Sequence, residues 1–167
     1  MASDGTSVML ERLVGLPAIR VLAVEQDPLR VHVETKLTAP VCCPRCGAAA
    51  SVKDRDPVAL TDLPCFGRRA VLVWHKRRWR CTGIDCAVGS WTQTVPAIAS
   101  SRLKLTDRAG RWATFQVGCH GRTVAEVAAD LGADWHTVND GQPHSNRSVD
   151  VAAHSLAIDP DDLSDRT

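Results

Sequence analysis

The sequence predicts an α+β protein: a β-rich N-terminal part gathered around paired cysteines, a small helical unit after it, and a poorly ordered tail. Three observations carry this prediction. Residues 19–37 alternate apolar and polar side chains with period two. Two close cysteine pairs lie beside strand-like segments. After Pro96 the texture turns to stretches that start on threonine and carry helical periodicity.

Residues 1–18 form an N-terminal segment with no assigned element. Leu29, Val31, Val33, Thr35 and Leu37 point one way and Arg30, His32, Glu34 and Lys36 the other, the pattern of a half-buried strand. Ile19 to Glu25 reads as its partner, with Gln26-Asp27-Pro28 as the turn. A second hairpin is expected from Val58–Leu63 and Ala70–Trp79, joined by Pro64-Cys65-Phe66-Gly67. Thr106 caps a helix over 107–117, which places Trp112 and Phe115 on one face. Thr123 caps a second helix over 124–131. Gly132 ends it, and 134–140 forms a short third. The expected organisation is a β-hairpin and cysteine-knuckle domain at 19–95, a helical region at 96–141, and a divergent, flexible, acidic tail at 142–167.

Lys+Arg total 20 and Asp+Glu 19, a formal net charge of +1. That neutrality is local cancellation. Residues 66–111 hold 10 basic and 2 acidic groups, whereas 124–167 hold 2 basic and 9 acidic. A general basic coat is excluded; a local basic patch is not. No apolar run approaches the ~20 residues of a membrane helix. MASDGTSVML does not read as a secretory signal. The expected location is therefore cytoplasmic, with no membrane partner, and the seven Cys are thiols or metal ligands rather than a disulfide framework.

Cys43-x-x-Cys46 and Cys81-x4-Cys86 suit a four-thiolate structural zinc site, because each tight turn aims two sulfurs at one point. Pro44 stiffens the first turn, and Gly47 allows a positive φ beside it. Each knuckle is expected to follow a strand. Scattered core thiols are a blander alternative, and rubredoxin-like iron shares the ligand set. A dithiol redox site lacks its βαβ setting. Cys42, Cys65 and Cys119 are surplus, and His75 is a reserve ligand.

Trp74-His75-Lys76-Arg77-Arg78-Trp79-Arg80 leads into Cys81. Lys76, Arg78 and Arg80 share one face, and Arg77 shares the other with His75 and Trp79. Such cations offset phosphate charge, which makes Lys76, Arg77, Arg78 and Arg80 candidate DNA contacts; a solvated edge strand is the alternative. Downstream, a helix-turn-helix template set at Val124 puts Val127, Leu131, Ala133 and Val138 on core positions. Small Ala128 falls at the helix approach, and Gly132 at the turn. Gly141 departs from the template, which wants a branched apolar residue there. In this register His136, Thr137 and Asn139 can hydrogen-bond base edges or phosphates.

In order, C-P-R-C-G, D-L-P, K-R-R-W-R-C, L-T-x-R at Leu105-Thr106-Asp107-Arg108, and V-A-A-D-L-G-A-D-W-H-T-V-N-D resemble the N-terminal region of ISL-type bacterial insertion-sequence transposases. The resemblance covers roughly residues 19–140. It implies a zinc ribbon held by Cys43, Cys46, Cys81 and Cys86, and a helix-turn-helix over 124–140 that binds double-stranded DNA at terminal inverted repeats. In that family a DDE catalytic domain with an RNase H-like fold follows. Here the pattern changes near Gly141. The expectation is a truncated or frameshifted, nucleoid-associated DNA-binding fragment, not an enzyme on its own, with a homodimer as a candidate assembly. No catalytic role goes to Asp159, Asp161, Asp162 or Asp165. A stand-alone zinc-ribbon regulator is the first alternative function, and an iron redox protein the second.

Overall fold

A computed structural model describes residues 4–141. The predicted tail and its acidic cluster lie outside the described residues. The elements are α1 (Asp4–Val14), β1 (Ile19–Gln26), β2 (Leu29–Thr35), β3 (Ala50–Cys65), β4 (Arg68–Cys81), β5 (Ser90–Thr92), α2 (Asp107–His120), α3 (Val124–Leu131) and α4 (Trp135–Gly141).

The two expected hairpins are present but belong to one sheet. β1 and β2 pair antiparallel, with Gln26 opposite Leu29; β3 and β4 pair antiparallel around the turn at Phe66-Gly67. A parallel pairing of β2 with β4 joins them, from Leu29 opposite Ala70 to Val33 opposite Trp74, giving the order β1-β2-β4-β3. The period-two pattern predicts one apolar face per hairpin. Merging the two stacks Val33, Leu60, Leu72 and Trp74 into a single cluster with Ile19, Val21 and Ile98. Trp74 is fully buried, and its Nε1 donates to Thr35 Oγ1 at 3.3 Å, so the indole N–H is satisfied.

Three elements depart most from the sequence expectation. α1 forms within the unassigned segment; Leu10 and Val14 pack on the sheet cluster, while Val8, Met9 and Leu13 are exposed. Those outward apolar residues blur the helical stripe. β3 begins at Ala50, well before Val58. Its first half, Ser51 to Pro57, is exposed and carries no alternation, so pairing with β4 rather than burial makes it a strand. Pro57 is tolerated because β3 lies at the sheet edge. β5 is a short addition opposite Arg78–Arg80.

The caps behave as their residues dictate. Thr106 Oγ1 accepts from the Ala109 amide, and α2 runs to His120, past the expected end at Val117. Thr123 and Glu126 form a reciprocal capping box on α3. The Thr123 N–H holds the Glu126 carboxyl below its ordinary range. Gly132 closes the helix at φ 67°. Asp134 caps α4: it accepts from the Thr137 amide at 2.8 Å and from Thr137 Oγ1 at 3.0 Å, and the amide bond lowers its pKa. Of the pair expected on one face of α2, Trp112 packs on the helical core, but Phe115 is 53% exposed and rests edge-on against His120.

A second apolar cluster, Leu105, Ala109, Ala113, Val127, Ala128, Leu131 and Val138, holds the three helices together. Here the departure at Gly141 acquires a physical reason. A Cβ at Gly141 would sit 2.6 Å from Leu105 Cδ1, so the leucine before α2 fills the space that a branched residue on α4 would take. Gly141→Val should therefore destabilise the helical unit by about 1–3 kcal/mol through overpacking. Adding Leu105→Ala should recover part of that loss. Urea unfolding of the two variants measures it, and equal midpoints for both would count against the account.

Candidate metal centre and nucleic-acid interface

The first knuckle precedes β3 instead of following a strand; a backbone bridge between Cys42 and Ala49 closes it. The second follows the end of β4 at Cys81. Antiparallel β3 and β4 place Ala50 opposite Cys81, which carries both knuckles to the same end of the long ribbon. Pairing of residues remote in sequence thereby becomes proximity of four sulfurs.

Cys43, Cys46, Cys81 and Cys86 have Sγ atoms all within 4.8 Å of one another. Cys43 and Cys86 sulfurs are 3.7 Å apart, and Cys46 and Cys81 3.4 Å. A tetrahedral zinc with ~2.3 Å bonds to sulfur sets sulfurs about 3.8 Å apart, so the pocket fits that ion. Cys43 is buried, Cys46 exposed, and the other two intermediate. The backbone aims donors at the sulfurs. N–H groups of Cys46 and, against the effect of burial, Arg45 lower the Cys43 pKa to about 6. Cys81 has the Gly83 N–H pulling its pKa down, yet burial and the adjacent Cys46 and Cys43 thiols raise it to about 12. Cys86 likewise rises, its Val88 N–H outweighed by burial and by Cys46 and Cys43. Four crowded thiols resist joint ionisation; a bound divalent cation removes that resistance.

Gly83 is a contributor that the sequence reading passed over. Its N–H donates to Cys81 Sγ at 3.3 Å, and a Cβ there would approach Cys46 Sγ to 3.1 Å. The two knuckles use glycine differently: Gly83 permits a close approach to the sulfurs, whereas Gly47 supplies a left-handed φ of 72° with open space around it. The signal was available in the sequence as a glycine two residues after a ligand. His75 is not a ligand: its Nε2 lies 3.1 Å from His32 Nδ1, and His32 Nε2 contacts Glu25 at 3.1 Å. Cys42, Cys65 and Cys119 are exposed and outside the cluster.

The expected DNA-contact residues divide by exposure. Arg78 and Arg80 are exposed. Lys76 is half-buried, its Nζ 4.6 Å above the Trp74 ring. Arg77 is buried: its Nη1 donates to Thr35 O at 2.6 Å and its Nη2 to Glu34 at 2.7 Å. Both partners come from the end of β2, the parallel neighbour of β4 in the sheet, which sequence alternation inside one strand cannot reveal. On α4, His136 is exposed with Trp135 beside it at a ring separation of 5.2 Å, Asn139 is half-buried, and Thr137 is buried against its cap. Arg77 and Thr137 are thus engaged inside the fold. Asp54 lies opposite Arg78 in register and Asp56 opposite Lys76, whereas Arg80 faces neutral Ser51 and Ser90. Arg80 carries the least compensated charge of the row.

Among the described residues no helix is long and apolar enough to cross a membrane. Residues 39–86 match the family model described as the zinc-finger of transposase IS204/IS1001/IS1096/IS1165. The matched span contains all four clustered thiols and ends on Cys86, so the cluster is a zinc-binding site. No curated protein and no solved structure matches the chain.

Proposed function

We propose that this chain is a DNA-binding part of an insertion-sequence transposase, in which the zinc ribbon and a helix-turn-helix formed by α3 and α4 engage duplex DNA at the element's terminal inverted repeats. The observation that carries the proposal is the match of 39–86 to a transposase zinc finger, with its four thiols gathered at one point. Supporting it, β4 delivers exposed Arg78 and Arg80 directly to the zinc ligand Cys81. The helical part has the attributes the motif requires: a capping box, the small buried Ala128 where helices approach, and a left-handed Gly132 between them. The α4 surface offers His136 and Asn139 to base edges, with Trp135 adjoining. The chain's role is binding, and strand cutting belongs to a separate catalytic domain.

Zinc-loaded protein titrated with random-sequence duplex at several salt concentrations tests this reading. Affinity should fall as salt rises, and Arg78→Ala with Arg80→Ala should reduce the log–log slope by about 2. A slope near zero, or one the double variant leaves unchanged, overturns the assignment of the basic row.

A further inference from the structure

Two sequence fragments far apart in the chain, Asp62-Leu63-Pro64 and Leu105-Thr106-Asp107-Arg108, meet at one carboxylate. Asp62 is only 4% exposed. Its Oδ1 accepts from Thr106 Oγ1 at 2.7 Å, from Arg108 Nε at 2.7 Å and from the Leu63 amide at 2.9 Å. Arg108 Nη2 donates to the other oxygen, and Nη1 to the Val14 carbonyl at the end of α1. Thr106 is fully buried and works twice, donating to Asp62 while capping α2.

Backbone pairing runs alongside. The Thr61 amide donates to Lys104 O at 2.8 Å and the Thr106 amide to Thr61 O at 3.0 Å, so the approach to α2 lies along the free edge of β3. From β4, Arg69 donates to Ala129 O at 3.3 Å, and its stem lies where a Cβ on Gly132 would stand. The helical unit is therefore attached to the ribbon through side chains and backbone, not through its linker alone. A buried carboxylate carries a desolvation penalty that an apolar contact would avoid, and what a fully satisfied polar network adds is one defined geometry.

We propose that Asp62 is a positioning residue, which through Thr106 and Arg108 locks α2–α4 against the zinc ribbon so that the basic end of β4 and α4 meet one duplex at a fixed spacing. The proposal rests on the DNA-binding reading above. Two contact surfaces on one rigid body act together only when their DNA segments keep the right separation and phase.

The test uses the full zinc-loaded chain. Duplexes are selected from a random-sequence pool, and footprinting locates the protected segments. An insertion of about 5 bp, half a helical turn, between two such segments should weaken wild-type binding on the order of tenfold, because the surfaces no longer lie on one side of the duplex. Asp62→Asn should bind the parent duplex several-fold more weakly and ignore the insertion. Arg108→Gln, which leaves the zinc ligands and β4 untouched, is the second variant and should behave alike. Amide exchange reports the joint without DNA: Thr61 and Thr106 should lose protection in both variants while β3–β4 amides beside the zinc keep theirs. A wild type indifferent to the insertion, or variants as sensitive as wild type, overturns the proposal. Failure of every form to bind DNA removes the DNA-binding reading; unchanged protection at Thr61 and Thr106 removes the lock itself.

Discussion

Chelating the zinc should unfold the distal half of the ribbon, not merely vacate a site. The sheet cluster that could hold the fold without metal is at the other end, around Val33, Leu60, Leu72, Trp74 and Ile98. Near the knuckles the apolar burial is limited to Cys43 and Trp79, and β3 from Ser51 to Pro57 is exposed throughout. Apparent zinc binding in small tetrahedral sites is worth about 10–16 kcal/mol at neutral pH, more than a region with so little core could replace. Metal analysis should find one zinc per chain. Cys43→Ser with Cys46→Ser should lose the metal and amide protection over 50–57 and 76–81. Trp79 and Trp91, paired across β4 and β5, should report the loss in fluorescence, since both lie at this end. The proximal cluster should persist to higher denaturant. Wild-type protection over 50–57 in the double variant would overturn the prediction.

Arg77 and Arg78 should fail in opposite ways although they are adjacent. Arg77→Ala leaves half-buried Glu34 with only the longer 3.5 Å contact to exposed Arg20, and removes the guanidinium donor to the Thr35 carbonyl. Breaking a buried pair from one side costs about 3–5 kcal/mol, and the 15% exposure of Glu34 points to the lower end. Replacing Arg77 and Glu34 together by leucine and methionine should recover much of that stability. Arg78→Ala removes an exposed side chain and should stay within about 0.5 kcal/mol of wild type in stability. Its effect should appear instead in the salt dependence of duplex binding. Urea midpoints and DNA titrations of both single variants separate the two roles; a stable Arg77→Ala would overturn the claim that Glu34 depends on Arg77.

The difference between those arginines shows where legibility ends. Period-two alternation correctly separates Arg77 from Arg78 onto opposite faces. It cannot say which partners a neighbouring strand supplies to either face, and β2 arrives by a parallel pairing with no local signature. The 51–57 stretch is comparable: its charged residues look like a loop, and only the register with β4 makes them a strand. α1 is not legible locally because its outward apolar residues, Val8, Met9 and Leu13, obscure its inward ones. Gly141 departs from the helix-turn-helix template because Leu105, outside the motif, occupies the same volume.

Features set by short-range chemistry are legible in the residues alone. The four metal ligands follow from two tight turns, the threonine caps from side chains that reach their own helix, and the first hairpin from alternation around Pro28. Packing of remote segments sets which cations remain available to a partner, how two hairpins become one sheet, and that Asp62 belongs with Thr106 and Arg108. These depend on contacts between residues more than forty positions apart. Local periodicity specifies the direction in which a side chain leaves the backbone. What it meets there is set by how the rest of the chain packs.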